Sequence, residues 1–222
     1  MFDNYLRGFK DRLAAPIALR MSTVDPSALT VMALFVGISS AVLAFYGMYV
    51  WAFALWLVNR SLDGLDGTIA RMHQKQDDFG GYLDIMTDFV VYAALPIGVV
   101  LGSPSTLRFI ALIIMLATFY VNTASWMYLA AILEKRAYHD PETRTTIVMP
   151  SGLVGGFETI VFFSLFILFP AQVTIFFLVY TSMVIITIIQ RVIWAKRQLR
   201  PIITKGSQYE KQYIGTTVFF EE

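Results

Sequence analysis

Long uncharged runs separated by short charged segments dominate the chain. The 34 residues between Asp25 and Arg60 carry no charge, and a single membrane-spanning helix needs only about 20 residues. Residues 46–48, Tyr-Gly-Met, offer a turn that divides this run into two helices. Residues 89–107 and 109–133 form two further uncharged runs, which predict a third and a fourth helix.

The last third of the chain is apolar as well. After a polar stretch over residues 134–151, Glu158 is the only charged residue before Arg191, and Pro170 indicates a turn between two more helices. Because backbone in lipid must satisfy its own hydrogen bonds, these runs have to be helices. The pattern therefore predicts an all-α, polytopic membrane protein with six transmembrane helices in residues 27–194.

Composition supports an integral membrane protein and adds two exclusions. Of the 222 residues, 57% are hydrophobic and 15% charged, and the mean hydropathy is +0.63, outside the usual range of soluble proteins. The absence of cysteine excludes disulfides and thiol nucleophiles. The sequence shows no nucleic-acid signature, and its length indicates a single domain over residues 1–222.

The two ends of the chain are predicted to flank the membrane bundle. Apolar residues recur at helical spacing in residues 1–24, which favours an interfacial amphipathic helix before the first span. The alternative is an ordinary amphipathic helix packed on the bundle. Residues 195–222 mix charged and apolar positions and are predicted to form a cytoplasmic tail.

The basic residues lie almost entirely on one predicted face of the membrane. All of the 17 Lys and Arg residues except Arg108 fall before the first helix, after the last one or in the second and fourth connections, with Arg60 assigned to the second connection. The positive-inside rule then places both termini and the acidic segment that follows Arg60 in the cytoplasm.

That acidic segment carries the chemistry of the chain. If the second helix continues through it, five residues share an arc of about 140°. They are Asp63, Asp66, Gly67, Ala70 and Arg71. At the start of the third helix, Gly80, Asp84 and Asp88 are spaced by four residues and line one face. A short connection lets the two faces turn toward each other.

Carboxylates converging near a membrane would repel one another, so unpaired acids are improbable there. Divalent cations would remove the repulsion, and oxygen ligands favour Mg²⁺, Mn²⁺ or Ca²⁺ over zinc. Two such ions about 4 Å apart can clamp phosphate oxygens. The small residues of the motif would leave space for a nucleotide or a diphosphate. Asp77 and Asp78 fall outside the register and are interpreted as solvated.

The segment Asp63-x2-Asp66-Gly67-x2-Ala70-Arg71-x8-Gly80-x3-Asp84-x3-Asp88 resembles, at every fixed position, the signature of the CDP-alcohol phosphatidyltransferases. The sequence DPSALT at residues 25–30 is similar to the usual start of the first helix in this family. The resemblance implies a membrane enzyme of phospholipid synthesis. Such enzymes transfer a phosphatidyl group from a CDP-linked lipid, here expected to be CDP-diacylglycerol, to the hydroxyl of a small alcohol and release CMP.

The resemblance also implies a role for each matching residue. Asp63, Asp66, Asp84 and Asp88 would bind divalent metal, expected to be two Mg²⁺ or Mn²⁺ ions, and Asp88 would act as the general base. The donor's cytidine diphosphate moiety would be contacted by Asp66, Gly67, Ala70, Arg71 and Gly80. Many members of the family pair as homodimers.

Residues for the alcohol acceptor are harder to assign. Glu158 could line its pocket or could be a structural acid between helices. Arg144 and Arg191 could bind a phosphate on the acceptor or could mark cytoplasmic helix ends. Glycerol 3-phosphate, inositol phosphate, serine and other small alcohols all stay open. His73 and His139 are interpreted as solvated loop residues.

Two other functions are compatible with parts of the pattern. Intramembrane prenyltransferases also use acidic helices, Mg²⁺ and a diphosphate donor, and Asn59-x3-Asp63 loosely resembles their motifs, but the glycine and Ala70-Arg71 positions would then be unexplained. A cation transporter or metal-binding scaffold would place its acids near the middle of the bilayer on broken helices, whereas these acids cluster at its predicted cytoplasmic boundary.

Overall fold

The computed structural model describes residues 15–139 and 152–199, and within these ranges the regular structure is entirely helical. Helix α1 covers residues 15–20. The longer helices are α2 (Pro26–Phe45), α3 (Tyr49–Met72), α4 (Asp78–Gly102), α5 (Thr106–His139), α6 (Gly156–Leu168) and α7 (Val173–Gln198). A 3₁₀ turn, Pro170–Gln172, joins the last two. The predicted all-helical fold is therefore confirmed for the described residues.

The boundaries of α2 follow from local chemistry. Asp25 caps its N-terminus by accepting a hydrogen bond from the Ser27 amide at 3.1 Å, and proline occupies the first helical position. At the other end, Gly47 adopts a φ of 73°, a conformation that glycine reaches at little cost. The predicted turn at residues 46–48 is confirmed.

Helix α3 runs through the acidic segment, as expected, but it corrects the position of Arg60. This arginine was assigned to a connection, and the structure places it inside α3 with only 7% of its surface exposed. The connection itself is short, because α4 begins at Asp78 with Asp77 as its N-cap. Asp77 thus has a capping role rather than being merely solvated.

Within the described ranges, four helices are long and apolar enough to cross a membrane. They are Pro26–Phe45, Asp78–Gly102, Thr106–Arg136 and Pro170–Gln198. Helix α3 has 24 residues but carries the charged motif, and α6 is an apolar helix of 13 residues. The structure thus supports several membrane-crossing helices within an all-helical fold.

The structure describes the predicted amphipathic segment only from residue 15 onward, so most of that segment lies outside the described residues. In the described part, Ala18 is buried against Leu29 and Ile69. The carbonyl oxygen of Ala18 lies 2.9 Å from His73 Nε2. This end of the segment packs on the bundle, and His73 is a packing residue rather than a solvated one. At the C-terminus, α7 extends to Gln198, and residues 200–222 lie outside the described ranges.

Close packing of α2 fixes the frame in which the acidic segment sits. A Cβ atom added at Gly98 would lie 2.3 Å from the backbone oxygen of Ala41, and one at Gly102 would lie 2.6 Å from that of Phe45. These glycines let α4 approach the α2 backbone directly. An aromatic cluster then joins α3 and α4 to α6 and α7, and includes Trp56, Tyr92, Phe163, Phe166 and Tyr180.

Candidate active site

Asp66 is the most enclosed acid of the motif, with 4% of its surface exposed. Its Oδ2 accepts a hydrogen bond of 2.6 Å from the Thr30 hydroxyl, and its Oδ1 lies 2.5 Å from the Gly67 amide nitrogen. Thr30 sits one helical turn inside α2, where the tight packing against α3 brings it to the carboxylate. Two donors from different places in the chain therefore orient Asp66.

Asp63 and Asp88 face each other across the gap between α3 and α4. Arg60 lies between them: its Nη2 donates to Asp88 Oδ1 at 2.7 Å, and its Nη1 lies 3.7 Å from Asp63 Oδ1. A narrow gap at this point, too small to hold a water molecule, is lined by all three of these side chains and by Asp66. The structure thus places Asp63 and Asp88 at one buried guanidinium, with Asp66 in the wall of the same gap.

A larger cavity of about 280 Å³ opens on the other side of Asp66. Its wall contains every residue predicted to bind the donor, together with Asp84. Those residues are Asp66, Gly67, Ala70, Arg71 and Gly80. Asp66 lines both this cavity and the narrow gap, so it joins the part of the site with Asp63 and Asp88 to the part with Arg71 and Asp84.

The two motif glycines leave room for specific side chains. A Cβ at Gly67 would lie 3.2 Å from Arg71 Nη1, and a Cβ at Gly80 would lie 2.8 Å from Asp77 Oδ1. Asp77 Oδ1 also accepts a hydrogen bond from the Gly80 amide at 2.5 Å, which caps α4. Gly80 therefore preserves the start of the helix that carries Asp84 and Asp88, in addition to widening the cavity.

The charged side chains that line the cavity and the narrow gap are mostly acidic. The walls contain Asp63, Asp66, Asp77, Asp84 and Asp88 against Arg60, Arg71 and Lys75, so the acids exceed the bases. The available ligands are carboxylate and hydroxyl oxygens, which suit Mg²⁺ or Mn²⁺. In the described ranges, no three acidic or histidine side chains are already gathered closely enough to hold an ion, and Asp63 and Asp88 are directed at Arg60.

Arg191 lies apart from this site, in α7. It is 7% exposed, and its Nη1 donates to the backbone and side-chain oxygens of Asn122 at 3.0 and 2.9 Å. A cavity of about 340 Å³ beside it is lined by Gly152, Thr187, Gln190, Arg191, Ile193, Trp194 and Arg197. This cavity presents two arginines and an indole ring to a ligand.

Of the other two predicted acceptor residues, one caps a helix and the other lies outside the described residues. Glu158 Oε2 accepts a hydrogen bond of 2.9 Å from the Gly155 amide, and so caps the N-terminus of α6. It is not part of the wall beside Arg191, which favours its structural interpretation. Arg144 lies outside the described residues.

Three contributors to the site were not predicted: Arg60, Thr30 and Tyr92. The Arg60 signal was present, because an arginine three residues before Asp63 shares its helix face. Thr30 and Tyr92 gave no such signal, since their roles depend on the packing of α2 and α4 against α3. The Tyr92 hydroxyl accepts a hydrogen bond of 2.8 Å from Arg60 Nη1.

Solved structures with the same fold include phosphatidylinositol phosphate synthase (PgsA1) of Mycobacterium tuberculosis. Its structure with CDP-DAG bound has a TM-score of 0.64 and 20% sequence identity, covering 82% of this chain and 92% of that chain. Its complex with manganese and citrate has a TM-score of 0.62, again at 20% identity, covering 81% and 87%. At this identity the likeness establishes the fold alone.

Sequence comparison identifies the family. The inner membrane protein YnjF of Escherichia coli strain K12 is 35% identical over 149 residues, which cover 67% of this chain and 71% of that protein. The family profile described as CDP-alcohol phosphatidyltransferase matches residues 23–194, the range from just before α2 to near the end of α7. The chain belongs to the CDP-alcohol phosphatidyltransferase family, and is therefore a membrane phosphotransferase of phospholipid biosynthesis.

Proposed function

We propose that this protein transfers a phosphatidyl group from CDP-diacylglycerol to the hydroxyl of a phosphorylated small alcohol and releases CMP. The observation that carries the proposal is that the four acids of the motif line one cavity and a narrow gap beside it, with Asp66 in the wall of both. Family membership supplies the reaction class. The PgsA1 structure with CDP-DAG supports a CDP-lipid as the donor.

The donor's cytidine diphosphate would occupy the larger cavity. Arg71 and Lys75 line that cavity, and their charges suit phosphate oxygens. Gly67 and Ala70 have small side chains, which leave space in the cavity for a phosphate to approach the α3 backbone. Ser27 and Pro26 from α2 complete the wall, and the exposed apolar surface of α2, including Val31, Met32 and Phe35, continues from there toward the lipid chains.

Mg²⁺ or Mn²⁺ would be held by Asp63, Asp66, Asp84 and Asp88, with two ions expected. When bound, such ions neutralise the charge of the diphosphate and of the departing CMP. The PgsA1 complex with manganese supports use of a divalent cation. Asp66 is held in place for this role by Thr30 and Gly67.

Asp88 would act as the general base. The acceptor's hydroxyl oxygen forms a bond to the phosphorus that carries the lipid, the bond from that phosphorus to the CMP oxygen breaks, and the hydroxyl proton passes to the Asp88 carboxylate. Asp88 suits this role because 26% of its side chain is exposed while Arg60 holds one of its oxygens at 2.7 Å. The other oxygen can then accept the proton.

The acceptor's phosphate would bind beside Arg191. This arginine is buried, and its Nε has no hydrogen-bond partner among the described residues, although a buried charge is costly to leave uncompensated. Arg197 and Gln190 in the same cavity add further donors. These contacts favour an anionic acceptor over serine or an uncharged alcohol.

The membrane orientation belongs to the same proposal. We place six helices, α2 to α7, across or within the bilayer, with both termini and the acidic motif on the cytoplasmic side. The distribution of Lys and Arg residues supports this orientation. Water-soluble acceptors would then reach the site from the cytoplasm.

The test is a reaction with purified full-length protein in detergent. Incubation with CDP-diacylglycerol, Mg²⁺ or Mn²⁺ and a panel of phosphorylated and unphosphorylated alcohols should yield CMP and one new phospholipid, identified by mass spectrometry. Asp63→Asn should abolish metal-dependent donor binding and CMP release. Asp25→Asn is the matched control, because its amide oxygen can still cap α2 and activity should be retained.

Three results would contradict the proposal in different ways. CMP release with serine alone would retain the reaction class and overturn the phosphorylated acceptor. Release of pyrophosphate from a prenyl diphosphate would select the prenyltransferase alternative. Metal binding without either product would favour a cation transporter or scaffold.

A further inference from the structure

A buried guanidinium, that of Arg60, lies beside the acids of the site, and the proposed reaction uses it only to hold one oxygen of Asp88. Arg60 is placed between two aromatic rings, with its Cζ 4.8 Å from the Trp56 ring centroid and 5.1 Å from that of Tyr92. Such contacts attract a cation to the ring faces. An arginine used only to mark the cytoplasmic side of the membrane would instead extend into solvent.

The hydrogen bonds of Arg60 fix the direction of its planar head. Nε donates to Asn59 Oδ1 at 2.8 Å, Nη1 to the Tyr92 hydroxyl at 2.8 Å, and Nη2 to Asp88 Oδ1 at 2.7 Å. Because all three nitrogens of the rigid fork are engaged, rotation of the head would break several contacts at once.

The groups that hold Arg60 are themselves anchored to other helices. Asn59 Nδ2 donates to the Ala33 carbonyl of α2 at 2.7 Å, and Trp56 Nε1 donates to Ser164 Oγ of α6 at 3.2 Å. The positive charge is thus tied to the frame of the bundle. Asp88, being more exposed, is the partner that can move.

We infer that Arg60 is a positioning residue that aims the Asp88 carboxylate and acts as a fixed cation opposing the binding of divalent metal to the acidic site. Its role in turnover rests on the proposed function, whereas its effect on metal does not. A positive charge within ion-pair distance of Asp88 and Asp63 repels an incoming cation and competes for the same oxygens. Arg60 therefore weakens metal binding, but it holds the Asp88 carboxylate in a defined direction.

The experiment compares wild-type protein with Arg60→Gln in two measurements. Mn²⁺ affinity is determined by electron paramagnetic resonance on full-length protein in detergent without substrate, and CMP release is measured with saturating Mn²⁺, CDP-diacylglycerol and acceptor. Arg60→Gln should bind Mn²⁺ at least about tenfold more tightly and release CMP at least about tenfold more slowly, because one charge-assisted contact is lost. If the substitution only damaged the fold, both Mn²⁺ affinity and the rate of CMP release would fall.

Arg60→Lys separates charge from geometry. A lysine retains the positive charge but not the three-way fork, so Mn²⁺ affinity should return toward the wild-type value while kcat stays at least about threefold lower and the donor KM is unchanged. Arg108→Gln is the matched control. Its guanidinium bonds to the Ser103 carbonyl beyond the far end of α4, and both properties should be unchanged.

Each outcome either supports or overturns the role assigned to Arg60. Unchanged or weaker Mn²⁺ binding by Arg60→Gln, or absence of Mn²⁺ binding by every variant, overturns the inference. If Arg60→Gln fails to fold, judged by thermal unfolding and size-exclusion profile, a wild-type kcat in Arg60→Lys overturns it and a selective fall in kcat supports it. If wild-type protein binds Mn²⁺ but releases no CMP, the proposed function fails, and the Mn²⁺ affinities still decide the charge effect.

Discussion

Arg60 and Arg191 are equally buried but lie in contrasting surroundings. Each has 7% of its surface exposed. Arg60, in the α2–α4 half of the bundle, engages every nitrogen of its head and has carboxylates at 2.7 and 3.7 Å. Among the described residues, Arg191, in the α5–α7 half, donates hydrogen bonds only to Asn122 oxygens, and its Nε has no partner.

The two arginines differ in how their charge is compensated. Two carboxylates of the protein lie within ion-pair distance of Arg60. No carboxylate of the described residues lies within ion-pair distance of Arg191, and a cavity opens beside it. Because a buried charge needs compensation, the contrast favours an external anion at Arg191 and a fixed polar network at Arg60.

The largest effect is expected when Asp88, the carboxylate partner of Arg60, is neutralised. Asp88→Asn keeps the size of the side chain and one oxygen for Arg60, but removes the proposed general base. We expect CMP release to fall by about 10² to 10⁴, while CDP-lipid affinity at saturating Mg²⁺ stays within a few-fold of wild type. The measurements are the rate of CMP release and equilibrium binding of the donor.

Two results for Asp88→Asn would revise the role of the residue. Turnover close to wild type would mean that water or another group takes the proton. Loss of donor binding as complete as that expected for Asp63→Asn would make Asp88 chiefly a metal ligand. In either case Arg60 would still differ from Arg191, but its carboxylate partner would have another purpose.

A smaller effect is expected in the other half of the bundle. Arg191→Gln removes the charge while retaining a hydrogen-bonding group for Asn122. A charge-assisted contact to phosphate is worth about 1.5–3 kcal/mol, so the KM for a phosphorylated acceptor should rise at least about tenfold with donor affinity unchanged. Steady-state CMP release at varied acceptor concentration measures this effect.

Arg136 supplies the control for that substitution. It lies on α5 outside the Arg191 cavity, where its Nη1 is 3.5 Å from the Gln198 carbonyl. Arg136→Gln should leave the acceptor KM unchanged. If Arg191→Gln also leaves it unchanged, the anion assigned to Arg191 is not the acceptor, and the distinction between the two arginines does not extend to substrate binding.

The sequence predicted the helices well because their signals are local. Uncharged runs, the glycine turn at Gly47 and the Asp25-Pro26 start of α2 depend on residues close together in the chain. The same is true of the motif register, since Asp63 and Asp66 share a face of one helix. The count of membrane crossings was less accessible, because α3 is charged and α6 is short.

Contacts between helices could not be predicted in the same way. Arg60 was assigned by its charge to a connection, whereas its position depends on Trp56, Tyr92 and Asp88 meeting around it. Glu158 stayed ambiguous until its carboxylate was seen to cap α6. Thr30 lies 36 residues before Asp66 in the chain, and only the packing of α2 on α3 brings the two together.

The smallest expected effect compares two buried threonines, one in each half. The Thr30 hydroxyl donates to Asp66 Oδ2 at 2.6 Å, whereas the Thr159 hydroxyl lies 3.1 Å from that of Tyr180. Valine preserves the shape of either side chain, so each substitution removes mainly a hydroxyl. Thr30→Val should lower the rate of CMP release about three- to tenfold, because a hydrogen bond contributes about 1 kcal/mol and Asp66 loses its orientation. Thr159→Val should leave that rate within about twofold and affect mainly the thermal unfolding temperature. Equal effects of the two substitutions on the rate would show that Thr30 acts through packing alone. The hydrogen bond to Asp66 would then matter no more for CMP release than the hydrogen bond of Thr159 in the α5–α7 half.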